Sequence, residues 1–270
     1  MSKYFVTSDV HSAYTPLMIA LEKAGFDKNN SDHKVVICGD LFDRMSETVK
    51  VYNFAKEMNE QGRLIYIKGN HEWLLKECVK EIRRGMLPSG HHFSNGTVKT
   101  ICQLCGESEW IVYDPSWSDK ICEIMQPILD WIDKTCVNYV EFKDMILVHS
   151  WIPLTKCDNL PAHYTRNRKF KFNPDWRNAN QEEWNEATWG NPFDMAERGF
   201  LPDKTVVFGH WHCSTGWNNA EGCGEFGDDA KFDPYYGDGF IAIDACTAYS
   251  GKCNVIVIEG EVLEDEYGDN

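Results

Sequence analysis

Val35-Val36-Ile37-Cys38-Gly39-Asp40 is an apolar, β-branched run that stops abruptly on a carboxylate. Runs of this length and composition read as strands buried on both faces. Four others share the form: Tyr4-Phe5-Val6-Thr7-Ser8-Asp9, Leu64-Ile65-Tyr66-Ile67-Lys68-Gly69-Asn70, Met145-Ile146-Leu147-Val148-His149 and Thr205-Val206-Val207-Phe208-Gly209-His210. In open α/β sheets, chemistry collects beyond the carboxyl ends of such strands. Asp9, Asp40, Asn70, His149 and His210 stand at those ends, with His11 and His212 two residues past the first and last. Convergence of all seven on one spot would make a metal centre.

Helical patterns separate the first three runs. Pro16 sits near the first turn of one, with Leu17, Leu21 and Ala24 on one side and Gly25 at its end. Ser46 is the expected N-cap of the next, which carries Val51, Phe54, Ala55 and Met58 and closes at Gly62. A third runs from Asn70 to about Arg84. This is a βαβαβ unit, so its strands should be parallel. Residues 85–135 are less regular, with helices expected around Gly96–Cys105 and Lys120–Lys134. Val137–Phe142 and Met145–His149 read as neighbouring strands. Residues 150–200, rich in Trp, Asn, Pro and charge, read as long surface excursions, and loops of that length are often functional. Strands follow at Thr205–His210, Gly239–Ala245 and Cys253–Glu259, then an acidic tail, Glu261–Asn270, expected to fray. With no repeat or linker, residues 1–270 are expected to form one α/β domain with insertions at about 85–135 and 150–200.

The 270 residues, 43% of them hydrophobic, suffice for a substantial core. Met1-Ser2-Lys3 leads straight into a strand, and no apolar run approaches the ~18 residues that span a bilayer. A soluble, cytoplasmic protein with no membrane partner is expected. The 11 cysteines are odd in number and scattered, and Cys38 and Cys246 fall in or beside core strands, so reduced thiols are the expectation. Cys102-Gln-Leu-Cys105 has zinc-knuckle spacing but lacks a second pair. A net charge of −15 argues against non-specific nucleic-acid binding. Bound divalent cations would reverse that field locally, so a phosphorylated substrate stays open.

Asp9 and His11 straddle a strand end, and the two oxygens of Asp40 can bridge two ions. Oxygen and nitrogen donors without thiolates suit Mn, Fe, Zn or Ni better than Ca or Mg, with manganese the first expectation. Two such ions polarise a phosphoryl group and generate hydroxide for direct in-line attack. Each residue alone has an ordinary reading as a helix cap or a hydrogen-bonded core side chain. Seven in this arrangement do not.

Ser8-Asp9-Val10-His11, Gly39-Asp40-Leu41-Phe42-Asp43-Arg44, Gly69-Asn70-His71-Glu72, Val148-His149 and Gly209-His210-Trp211-His212 resemble, in order, the motifs of calcineurin-like metallophosphoesterases. The second and third look like the phosphoprotein phosphatase branch, including its bacterial and phage members and the symmetric diadenosine tetraphosphatases. Ile243–Lys252 is similar to that branch's closing segment. The resemblance implies a four-layer α/β/β/α sandwich with two mixed sheets. It implies one metal on Asp9, His11 and Asp40 and another on Asp40, Asn70, His149 and His210, with His212 joining the first. His71 resembles the general acid, Asp43 its partner favouring the protonated form, and Arg44 the phosphate clamp.

Lys68 stands where the protein phosphatases usually carry Arg, keeping the charge but losing bidentate contact. The second His of the final motif looks more like the broad superfamily. For a second phosphate-binding arginine, Arg198 is the first candidate and Arg166 and Arg168 the others. The basic stretch His163–Lys171 could take a second phosphate or an acidic peptide, though a solvated loop is the commoner reading. Trp151, Trp189, Trp211 and Trp217 could wall the cleft or stack on a base, with packing the ordinary role.

The leading expectation is a metal-dependent phosphomonoesterase of protein Ser/Thr phosphatase type, acting on a phosphorylated protein. The alternative is a hydrolase of dinucleoside polyphosphates or another small phosphorylated molecule. A nuclease fits the charge poorly. A catalytically silent scaffold would be expected to lose ligands, whereas every ligand position here is filled.

Overall fold

The structure, a computed structural model, describes residues 2–157 and 169–263. Strands β1 (Lys3–Thr7), β2 (His33–Cys38), β3 (Leu64–Ile67) and β4 (Cys136–Val137) lie side by side and parallel, and β12 (Ile256–Glu259) adds antiparallel to β1. A second sheet has the order β10-β11-β9-β6-β5, built from β5 (Val140–Glu141), β6 (Met145–Leu147), β9 (Thr205–Phe208), β10 (Tyr235–Gly237) and β11 (Phe240–Ala242). Here β9 runs parallel to β6 and β11, while the two edge strands are antiparallel. Both sheets are therefore mixed. A short pair, β7 (Thr155–Lys156) and β8 (Phe170–Lys171), stands apart.

Strand alternation sorts the side chains into three layers of core. Tyr4, Val6, Val36, Cys38, Ile65 and Ile67 of the first sheet meet Val140, Leu147, Val207 and Ile241 of the second. On the opposite face, Phe5, Val35, Ile37 and Tyr66 pack under helices α1 (Tyr14–Lys23), α2 (Thr48–Glu60), α3 (Asn70–Arg83), α5 (Thr97–Cys105) and α6 (Ser118–Thr135). The far face of the second sheet, with Ile146, Val206 and Phe208, is covered by Trp151, Trp176, Trp184 and Phe193. Near-continuous apolar strands are thus explained: each face has its own partner layer. The four-layer α/β/β/α expectation holds.

Three local expectations need correction. The stretch Val137–Phe142 is split, Cys136–Val137 pairing with β3 in the first sheet and Val140–Glu141 with β6 in the second. The N-cap of α2 is Glu47 and not Ser46; the Glu47 carboxylate accepts from the Thr15 N–H at 2.8 Å and its hydroxyl at 2.9 Å, tying α2 to α1. Residues 150–200 are not only surface loop, since α7 (Gln181–Ala187) and α8 (Pro192–Glu197) bury Trp184 and Phe193 in the second sheet's outer core. Cys102 is buried on α5, and neither it nor Cys105 joins a potential metal group among the described residues. Residues 163–168 of the basic stretch, with Arg166 and Arg168, lie outside the described residues, as does the tail from 264. Among the described residues, no helix is long and apolar enough to cross a membrane.

Candidate metal centre and catalytic cleft

Beyond the strand ends the backbone turns sharply. Among the described residues, the non-glycine positions with positive φ are Asp9, His11, Ser12, Asp40, Asp43, Arg44, His210 and Cys246. A left-handed conformation at a side-chain-bearing residue costs on the order of 1–3 kcal/mol. Each such turn follows a strand whose buried Val, Ile or Phe contributes about 1.5–3 kcal/mol per side chain, so the layers can hold the strain. Glycines permit the close approach. A Cβ at Gly209 would overlap the Ser8 hydroxyl and the Asp9 carboxylate, and one at Gly69 would overlap Asp40.

Two groups of potential ligand atoms result, each with its atoms within 4.8 Å of one another: His11, Asp40 and His71, and Asp40, His149 and His210. Asp40 belongs to both. His11 Nε2 lies 3.8 Å from Asp40 Oδ2 and 3.9 Å from Asp9 Oδ1. His149 Nε2 lies 3.5 Å from Asp40 Oδ1 and 2.8 Å from Asn70 Oδ1. Backbone carbonyls orient the rings from behind: the Nδ1 of His11 faces Phe42 O at 3.0 Å and that of His149 faces Cys38 O at 2.9 Å. Each ring therefore turns Nε2 toward the carboxylates. Asp9 Oδ2 accepts from the Ser8 hydroxyl and, at 2.8 Å, from the His210 N–H, which links the two sheets.

Next to these groups, the Asp43 carboxylate accepts from His71 Nδ1 at 2.7 Å and from the Thr97 hydroxyl at 2.7 Å. Its own N–H donates to Thr100 Oγ1 at 3.0 Å. His71 Nε2 is left facing Asp40 Oδ2 at 3.8 Å and the Arg44 guanidinium at 3.4 Å. Beneath them Glu72 is fully buried and accepts four donors: the N–H groups of Asp40, Leu41 and Gly69 and the Tyr66 hydroxyl, at 2.6–3.0 Å.

The charge balance suits cations. Burial, then the nearby Asp244, raises the Asp9 pKa well above the usual carboxylate range; burial, then Asp9, does the same to Asp40. Burial lowers the pKa of His11 and His210, and takes His149 down to about 3. Neutral imidazoles beside buried carboxylates, which Arg44 offsets only in small part, form a donor set that bound cations would complete.

A cleft of about 570 Å³ opens over the cluster, lined by Asp9, His11, Asp40, Asn70, His71 and His210 and, further out, by Arg44, Asn95, Trp189, Trp211, His212, Phe226, Asp244 and Tyr249. Two expectations fail here. Lys68 does not line the cleft; its N–H donates to Val137 O, and its charge acts on Lys76 and Cys136. Arg198 is also off the wall, capping α8 and paired with Asp194 at 3.1 Å. His212 lines the cleft and, like Asp9, stands outside both groups drawn within 4.8 Å, its Nδ1 facing Ser214 Oγ at 2.8 Å. Among the described residues lining the cleft, Arg44 is the only Lys or Arg.

A family model described as calcineurin-like phosphoesterase matches residues 2–214. The chain belongs to the calcineurin-like phosphoesterases. This member is 25% identical over 242 residues to the symmetrical bis(5'-nucleosyl)-tetraphosphatase of Hamiltonella defensa subsp. Acyrthosiphon pisum, a match covering 80% of this chain and 85% of that protein. It is 31% identical over 74 residues to the asymmetrical bis(5'-nucleosyl)-tetraphosphatase PrpE of Bacillus velezensis, covering 25% of this chain and 30% of the relative's length. In fold it is similar to a cold-active protein-tyrosine phosphatase of a psychrophilic Shewanella, with a TM-score of 0.50 at 16% identity, over 96% of this chain and 76% of the other.

Several residues of this phosphoesterase's site carry no separate signal in the sequence reading. Glu72 follows Asn70-His71 directly, and the capping pattern of a carboxylate at the third position of a helix could have marked it. Thr97 and Thr100 reach Asp43 from a helix more than fifty residues away, which spacing along the chain does not reveal. Asp244 ends β11's extension as Asp9 ends β1's, and that likeness was available.

Proposed function

We propose that this chain is a metal-dependent hydrolase of phosphoric esters, with Asp9, His11, Asp40, Asn70, His149 and His210 holding two divalent or transition metal ions, manganese first among them. The observation that carries this reading is the place of Asp40 in both ligand groups. The donor set fits such ions because burial outweighs the Arg44 charge at its carboxylates and its imidazoles are held neutral. When bound, such ions supply Lewis acidity toward a phosphoryl oxygen and toward water.

The chain's own side chains divide the remaining work. Arg44 takes phosphoryl oxygens, its planar fork matching two of them. His71 would donate a proton to the leaving oxygen from Nε2, while Asp43, 2.7 Å from Nδ1, fixes the ring. Thr97 and Thr100 hold Asp43, and Glu72 holds the backbone that presents Asp40. Asn70 serves both the ions and the substrate. The nearness of His71 to the His11 and Asp40 donor atoms, within 4.8 Å, supports this role.

Two substrate classes suit this machinery. The His71, Asp43 and Arg44 constellation supports a phosphomonoester of protein Ser/Thr phosphatase type. The relative matched across 80% of the chain supports a dinucleoside polyphosphate. Turnover of p-nitrophenyl phosphate after loading with Mn, Fe, Zn or Ni, abolished by Asp40→Asn, is the expected result. Absence of turnover with all four metals would overturn the hydrolase reading. Parallel rates on a phosphoserine peptide and on diadenosine tetraphosphate separate the two classes.

A further inference from the structure

One wall of the cleft is aromatic where it meets solvent. Phe226 is 54% exposed and Tyr249 56% exposed, yet both line the cleft that holds the ligand groups. Their rings meet edge to face, centroids 5.2 Å apart at 78°. Phe226 lies 5.0 Å from the His212 ring, which lies 6.4 Å from Trp211. The aromatic surface is thus continuous from beside the His210 ligand position out to the rim. The Gly227 N–H donates to the Tyr249 hydroxyl at 3.0 Å, which fastens the loop bearing Phe226 to helix α10 (Thr247–Ser250). Phe232 backs Tyr249 at 5.6 Å.

Two large rings held in place but left in water keep their apolar faces available to a flat ligand. Charge narrows what that ligand is. The described cleft wall offers one guanidinium, Arg44, the carboxylates of Asp9, Asp40 and Asp244 around the ligand groups, and otherwise ring surface and neutral groups such as Asn95. This suits a molecule with its phosphate at Arg44 and an uncharged planar group beyond it. An acidic phosphopeptide would find no second cation there among the described residues.

We propose that Phe226 and Tyr249 form a stacking platform for the base of a phosphorylated nucleoside bound with its phosphate toward Arg44. The inference rests on the phosphoester-hydrolase reading of the cleft and specifies its substrate class. His212 adjoins this platform through its contact with Phe226.

Calorimetric titration of the metal-loaded protein with the non-hydrolysable phosphonate analogues of adenosine 5'-monophosphate and of ribose 5-phosphate tests the platform. One stacked base makes the nucleotide analogue bind about tenfold tighter than the sugar analogue. Phe226→Ala/Tyr249→Ala should erase that preference and leave the sugar analogue within about twofold of the parent affinity, the range of a neutral surface change. Phe226→Leu, which keeps apolar bulk but removes the ring, should lose most of it, and retained sugar-phosphate binding reports a folded cleft. Equal affinities in the parent, or a preference surviving in the double variant, would overturn the platform. So would a phosphoserine peptide whose binding depends on both rings more than the nucleotide's does. A protein that prefers the nucleotide analogue yet releases phosphate from no ester would keep the platform and lose the hydrolase reading. One that hydrolyses esters without that preference would do the reverse.

Discussion

The Glu72 carboxylate accepts the backbone N–H of Asp40 at 3.0 Å, so the loop after one strand is held by the first turn of the helix after the next. The same carboxylate takes the N–H groups of Leu41 and Gly69 and the Tyr66 hydroxyl. Glu72→Ala would leave three buried N–H groups without acceptors, each costing about 1–3 kcal/mol. A loss of at least about 3 kcal/mol in urea unfolding is expected on that count, with weakened cation binding because Asp40 loses its placement. Glu72→Gln, which keeps one oxygen, should fall between. Parent-like stability of Glu72→Ala would show that the carboxylate is not what holds this turn.

His71 is open to a sharp test because it touches both Asp43 and the ligand group of His11 and Asp40. As the proton carrier, its replacement in His71→Asn should lower kcat by about 10²–10⁴-fold, with two ions still bound per chain. Counting bound metal by elemental analysis alongside kcat checks this. A fall to one ion per chain would make His71 a ligand instead of the acid.

The strand ends bearing Asp9, Asp40, Asn70, His149 and His210 were legible because layered burial writes itself as apolar runs, and an abrupt polar stop marks where each run leaves the core. The direction of long cationic side chains was not. Lys68 precedes Gly69-Asn70, yet strand alternation sends it away from the cleft, and Arg198 finds Asp194 one helical turn back. Short edge elements were equally quiet: Tyr235–Gly237 is a three-residue, half-exposed strand with too few residues to show a period.

Gly209 supplies a third test. It precedes His210 and lies against Ser8 and Asp9, where a methyl group has no room. Gly209→Ala should therefore push the second sheet's loop from the first and cost about 1–3 kcal/mol, as overpacking does. Cation affinity should fall with it, since the His210 N–H bond to Asp9 spans the displaced pair. Isothermal titration with Mn together with thermal unfolding reads both effects. An unchanged Mn affinity would separate this close contact from the ligand geometry.

The buried histidines set the acid response of the cation-free protein. His149 is held neutral by burial, its pKa lowered from the usual 6.5 to about 3. A depressed value means the folded state takes up no proton on this ring until far below pH 6.5, whereas the unfolded chain takes it up at 6.5. The stability tied to this ring is therefore complete above pH 6.5 and drains away as pH falls toward 3. One unit below 6.5 the linkage amounts to about 1.4 kcal/mol per imidazole. Asp244, raised to about 6 mainly by burial, acts in the opposite sense, since its charging weakens the fold as pH rises from the ordinary aspartate range through 6. A single histidine is best isolated by difference. Urea unfolding of chelator-treated parent and His149→Gln at pH 7.5 and 5.5 should show the parent losing about 1.4 kcal/mol more on acidification. Identical pH responses of the two proteins without metal would mean that His149 is not buried as a neutral ring beside Asp40.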